Sequence, residues 1–136
     1  MNEKKAIESK LQLLKLCFDK LEFVRLGEKN ESKLEQKLSA QISGIGDDKY
    51  KVTLELKANK EKEYEIVIVI RGVFRFMSDS GFDDNAKKEI IKKNTVAIMM
   101  PYVRSQLTLM TAQPNVDTVV MPPLNIVAMF DQNSNN

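Results

Sequence analysis

Residues 49–76 read KYKVTLELKANKEKEYEIVIVIRGVFRF, and two successive alternations within them decide the fold. Tyr50, Val52, Leu54, Leu56 and Ala58 interleave with Lys49, Lys51, Thr53, Glu55 and Lys57. Beyond a charged turn at 59–62, Tyr64, Ile66, Ile68, Ile70, Gly72, Phe74 and Phe76 hold the even positions. A period of two sends neighbouring side chains to opposite faces of a strand, so the stretch reads as a hairpin with one apolar face. The odd positions of its second strand are mixed (Glu65, Val67, Val69, Arg71, Val73, Arg75), which predicts partial cover on that side as well.

The pattern extends upstream. Leu34, Leu38, Ala40 and Ile42 alternate with Lys33, Glu35, Lys37, Ser39 and Gln41, and Gly44-Ile45-Gly46-Asp47-Asp48 supplies turn residues. Residues 27–32 form a polar connection. Before it, Leu11, Leu13, Leu14, Leu16, Phe18, Leu21 and Phe23 alternate with a slip between Phe18 and Leu21, as a bulged strand slips. A helix over 6–18 competes, because Ile7, Leu11, Leu14 and Phe18 also have helical spacing. The reading is strand from about Leu14 onward, with the preceding residues open between the two, and the first ten residues form a frayed or weakly helical arm. Four antiparallel strands result.

Downstream, Asp83 or Asp84 can cap a short helix ending near Lys93, and a longer helix is expected over 95–111. The longer helix carries one apolar stripe at Val96, Met99 or Met100, Val103, Leu107 and Met110, and a second at Ile98, Tyr102 and Leu109. Pro101 should kink it, Pro114 ends it, and Pro122-Pro123 opens a last short helix over 124–130 before a polar tail at 131–136. From Asn94 onward only Arg104, Asp117 and Asp131 carry charge. One stripe can cover the sheet; two stripes on one helix call for a second cover, and a partner subunit would supply it. The fold class is therefore α+β in a single domain: an arm (1–10), a four-stranded antiparallel sheet (11–76), a long kinked helix with a short C-terminal one (83–130), and a tail.

Composition narrows the function. The 136 residues are 43% hydrophobic, enough for a modest core, and 21 basic residues against 19 acidic ones leave a net charge of +2. That balance gives no reason to expect nucleic acid as an obligate partner. The single cysteine, Cys17, allows no intramolecular disulfide, and residues 1–10 lack the apolar run of a signal peptide, so a cytoplasmic location is expected. Histidine is absent, which removes the commonest general base and metal ligand and lowers the prior for catalysis. No cofactor, metal or membrane partner is expected. Ser78, Asp79, Ser80, Gly81, Asp83 and Asp84 lack EF-hand spacing and read as a solvated turn with a helix cap.

Two motifs go beyond periodicity. Met100-Pro101-Tyr102-Val103-Arg104, followed by Pro122-Pro123-Leu124-Asn125-Ile126-Val127-Ala128-Met129-Phe130, resembles the signature of the SecB family, and Arg71-Gly72-Val73-Phe74 resembles that family's Gly-Gly-Ile-Phe. The likeness runs from about Leu11 to Phe130. It implies a dimer that pairs again into a homotetramer, long helices sandwiched between two sheets, and an ATP-independent holdase that keeps polypeptides or preproteins unfolded and passes them to the translocase ATPase SecA. A branch of SecB-like proteins guards antitoxins instead, so a dedicated antitoxin chaperone is the alternative within the class.

The same resemblance proposes site residues. An adaptable client groove would draw on Phe74, Phe76, Met99, Met100, Tyr102, Met110, Met121, Leu124, Met129 and Phe130, because thioethers repack around varied partners. For any one of the methionines, plain core filling competes. Ile66, Ile68, Ile70, Arg104 and Leu107 resemble oligomer-interface positions, and for the isoleucines core and inter-subunit packing is favoured over client contact. In the export proteins the outward sheet face is acidic where it docks SecA. The matching positions here are Lys20, Val24, Glu65 and Val67, and the face as a whole is basic, which disfavours that contact. From a different class, an interaction or nucleic-acid-binding domain could use this basic face.

Overall fold

The computed structural model describes residues 11–77 and 84–122. Four strands, β1 (Leu11–Arg25), β2 (Leu34–Gly46), β3 (Lys49–Lys60) and β4 (Tyr64–Phe76), form one antiparallel sheet in the order β1-β4-β3-β2. One helix, α1 (Asp84–Thr111), follows and packs over β4, β3 and β2. The expected arm, the Asp83 cap and the short helix over 124–130, with Leu124, Met129 and Phe130, lie outside the described residues.

The central hairpin forms as its alternation requires. Val52, Leu54, Leu56 and Ala58 of β3 stand beside Gly72, Ile70, Ile68 and Ile66 of β4, and all these apolar side chains are at most 1% exposed. Gly72 has no side chain because the space is taken: an added Cβ would lie 2.8 Å from the Phe74 ring and 3.1 Å from Met99 Sδ. The β2–β3 turn is Asp47-Asp48, both at positive φ (47° and 57°), the backbone that tight hairpin turns of this twist demand.

β1 is strand from Leu11, so its first residues are extended rather than helical. It contains two bulges where one slip was legible: the register against β4 shifts between Leu13 and Lys15 and again between Phe18 and Lys20. Each extra residue reverses the alternation. Leu11, Leu13, Leu16, Phe18, Leu21 and Phe23 thereby all pair with even positions of β4 and share the helix-side face.

The two expected helices are one. No break occurs at Lys93, because Asn94 Nδ2 donates to Ile90 O (3.0 Å) and Thr95 Oγ1 to Ile91 O (2.6 Å), and both side chains follow the helical path. Pro101 lies within the continuous helix; it and Ala97, whose carbonyl it leaves unpaired, are both exposed, so water can satisfy that group. After Thr111 the chain turns through Pro114-Asn115 and straps back along the helix. Thr108 Oγ1 donates to Val119 O and Val119 N to Thr111 Oγ1, both at 2.8 Å, while Val116 and Met121 are buried.

Candidate client-binding surface

The helix divides its apolar residues between two faces. Ile91, Val96, Met99, Met100, Val103 and Leu107 are at most 2% exposed against the sheet. The second stripe is less covered by the described residues: Ile98 is half-buried at the edge of the core, Tyr102 is 48% exposed and Leu109 67%. These residues recur at intervals of four and seven, which aligns them on one side of a helix. Met110 is half-buried at the margin between the two faces.

A second uncovered surface lies on β1. The helix covers the other three strands, so the helix-side face of β1 is only thinly sheltered. Leu16, Phe18 and Phe23 are half-buried, and Leu13 and Leu21 are 39% and 47% exposed. Phe23 stacks on Tyr64 with ring centroids 5.2 Å apart, which anchors the lower end of this face. β1 and β2 are also the two sheet edges, each with one row of backbone groups unpaired within the sheet. The bulges interrupt the β1 edge, whereas β2 pairs with β3 without irregularity from Leu34 to Gly44 and so presents a regular outer edge.

Several proposed groove residues do not line an open groove in this conformation. Phe74, Phe76, Met99, Met100 and Met121 are between 0% and 6% exposed and fill the core between helix and sheet. Small Gly72 and the need to cover β4 explain why the helix sits down on them. Tyr102 and Met110 are the proposed groove residues that reach the surface among those described. Of the proposed oligomer-interface residues, Ile66, Ile68, Ile70 and Leu107 face their own protomer's core, and Arg104 is half-buried on the helix. Lys20, Val24, Glu65 and Val67 do share the outward face: Val24 pairs with Glu65, Lys20 ion-pairs with Glu22 opposite Val67, and an open depression runs between Lys57, Asn59, Glu65 and Val67.

One feature of this end of the sheet was not legible in the sequence. Glu63, in the β3–β4 turn, is fully buried and accepts from Lys60 Nζ and from Asn30 N, both at 2.8 Å. Its backbone carbonyl takes the amides of Leu26 and Gly27. Burial opposes the Glu63 charge, but the Lys60 ammonium and the Asn30 amide outweigh it and hold the carboxyl below its ordinary value. The bond to Glu63 likewise holds Lys60 above its own, against burial. This hub clamps the β1–β2 connection, and Lys29–Asp117 (2.7 Å) and Arg25 Nη2 to Asn115 O (3.1 Å) tie the connection to the strap after α1. A Glu-Lys-Glu turn looks solvated in a sequence; only the neighbouring connection buries its last member.

Among the described residues no group of acidic or cysteine side chains could hold a metal ion, and no helix is long and apolar enough to cross a membrane.

Residues 10–136 match the family described as preprotein translocase subunit SecB. The chain belongs to the SecB family. Its fold matches the Mycobacterium tuberculosis SecB-like chaperone Rv1957, solved with a ChAD peptide from the HigA1 antitoxin, at a TM-score of 0.73 and 8% identity over 90% of this chain and 93% of that one. A Methanocaldococcus jannaschii relative, the uncharacterized protein MJ0357, is 24% identical over 88 residues; the match takes in 61% of this chain and spans only 55% of that protein's length. SecB membership accounts for the antiparallel sheet and long helix.

Proposed function

We propose that this SecB-family protein is an ATP-independent holdase that binds unfolded polypeptide and carries out no chemistry. The observation that carries the reading is the apolar surface left open among the described residues, Ile98, Tyr102 and Leu109 on the helix and Leu13 and Leu21 on β1, beside the two strand edges of the sheet. Side chains of an extended client would pack on the apolar surfaces while its backbone adds to an edge, a mode that tolerates many sequences because main-chain hydrogen bonds supply much of the affinity. Part of the helix stripe would be taken up by self-association into a dimer of dimers, and Met121 with the last helix, Leu124, Met129 and Phe130, would border the client site. The site of action would be the cytoplasm.

The test is suppression of aggregation. Equimolar protein should keep several unrelated unfolded proteins from scattering light without nucleotide, and failure on all of them overturns the reading. A second reading, one dedicated client, is favoured by the antitoxin peptide on the Mycobacterium tuberculosis neighbour. Protection of a single short partner and of nothing else would select it. Delivery to SecA is disfavoured by the basic outward face and would show as binding to purified SecA that weakens little with salt.

A further inference from the structure

The outward face of the sheet is not uniformly basic. Near β1's middle and the β3–β4 turn most of its charges are paired, Lys20 with Glu22 (3.8 Å), Lys57 with Glu55 (3.6 Å) and Arg71 with Asp19 (3.1 Å), and Lys37, opposite Lys57, is an exception at that end. Towards the β2–β3 turn the pairing stops. Lys15 and Lys51 stand directly on either side of Val73, and Arg75, two residues along β4, stands opposite Lys49. None of these four cations has a hydrogen bond or ion pair among the described residues. Like charges placed directly across a sheet cost stability; Lys37 opposite Lys57 is one such pair, but at Lys15, Lys49, Lys51 and Arg75 four cations without a described partner surround a single apolar residue, Val73.

We propose that this cluster, Lys15, Lys49, Lys51 and Arg75 around Val73, is a docking site for an acidic polypeptide segment carrying an apolar residue between its carboxylates. Cross-strand neighbours lie about 5 Å apart and alternate residues along a strand about 7 Å apart. The cations therefore ring an area about 10 Å by 7 Å, which matches three or four carboxylates on one short extended segment, with Val73 as the apolar floor. Nucleic acid fits less well. The aromatic residues of the strands, Phe18, Phe23, Tyr50, Tyr64, Phe74 and Phe76, all belong to the helix-side register, so the outward face offers no base-stacking platform, and the cluster is too short to track a phosphate backbone. The site lies on the opposite side of the sheet from the helix and does not rest on the holdase reading; a partner here and a client there could be held together.

Fluorescence anisotropy on the full chain tests it, with a labelled peptide of alternating Glu and Val about ten residues long as probe. The acidic probe should bind, and its affinity should fall at least about tenfold between about 50 mM and about 300 mM salt. K49E/K51E should weaken it by about tenfold or more, and the milder Lys51→Gln by about threefold, with melting curves confirming that both variants fold. Lys37→Gln, on the same outward face at the opposite end of the sheet, should leave it unchanged. Equal binding of an alternating Lys and Val peptide, tighter binding of a single-stranded oligonucleotide of the same charge, or undiminished binding to K49E/K51E overturns the proposal.

Discussion

Leu107 and Leu109 sit two residues apart on the same helix, and one is completely buried while the other is 67% exposed. The first belongs to the core cluster and fills space within its own protomer. The second shares a stripe with Ile98 and Tyr102 that the described residues leave largely open. Identical chemistry is thus core on one face and exposed surface on the other. The charges divide in the same way: Lys60–Glu63 is sealed at one end of the sheet, with side chains 11% and 0% exposed, whereas Lys20–Glu22 stands in solvent at 53% and 49%.

The contrast can be broken most forcefully at the two leucines. Leu107→Ala should destabilise by about 3–4 kcal/mol in urea unfolding, since it removes a fully enclosed side chain and leaves a cavity. Leu109→Ala should cost under about 0.5 kcal/mol when measured on dissociated protein, yet reduce both self-association in light scattering and client protection. Equal costs in the dissociated protein would mean that both faces are covered by the chain itself.

The charge pairs sharpen it next. Lys60→Met should cost about 3 kcal/mol, because Glu63 is left buried without its cation. Lys20→Met should cost under about 1 kcal/mol. The pH dependence has a definite sign. Glu63 is held below its ordinary 4.5, so its contribution is complete above that value and is lost as pH falls through the lower folded value. Lys60 is held above 10.5, so its contribution is complete below that value and is lost as pH rises through the higher one. Glu63→Gln should therefore flatten the acid limb of a stability–pH curve measured by denaturant titration; an unchanged limb would remove Glu63 from the account.

A smaller effect is expected where the connection meets the turn. An alanine Cβ at Gly27 would fall 2.5 Å from Lys62 O, a backbone atom that moves only if the Glu63 clamp moves with it. Gly27→Ala should cost about 1–2 kcal/mol in the same titration. Gly44, with open space around it, should tolerate alanine at under about 0.5 kcal/mol. On the helix, Lys87→Ala loses a partly exposed ion pair to Asp48 (3.2 Å) and a contact over Phe76 (5.3 Å to the ring centroid), an expected cost of about 1 kcal/mol.

The slip after Phe18 was readable because it shifts the apolar parity, but the earlier bulge near Leu14 was not, since Leu13, Leu14 and Leu16 are all apolar and hide which residue is extra. The junction at Lys93–Asn94 looked like a helix end because acidic and basic residues were placed to suit a short helix dipole. Back-bonding by Asn94 and Thr95 let the helix run on. The double stripe was legible as a pattern of 98, 102 and 109, while the burial of Phe74, Met99 and Met100 was not distinguishable from groove lining, because a core contact and a client contact use the same residues.

The sequence by itself determined the sheet, its apolar face, the amphipathic excess of the helix and the family, because strand and helix periods and the Pro-Tyr-x-Arg motif are local properties of consecutive residues. Which stripe is covered, why Glu63 is buried, and how four outward cations gather around Val73 while Lys20, Lys57 and Arg71 find acidic partners were decided only by tertiary structure. Those outcomes depend on cross-strand register and on connections that bring residues some thirty or more positions apart into contact, such as Asn30 with Glu63 and Asp19 with Arg71, and no local pattern records such pairings.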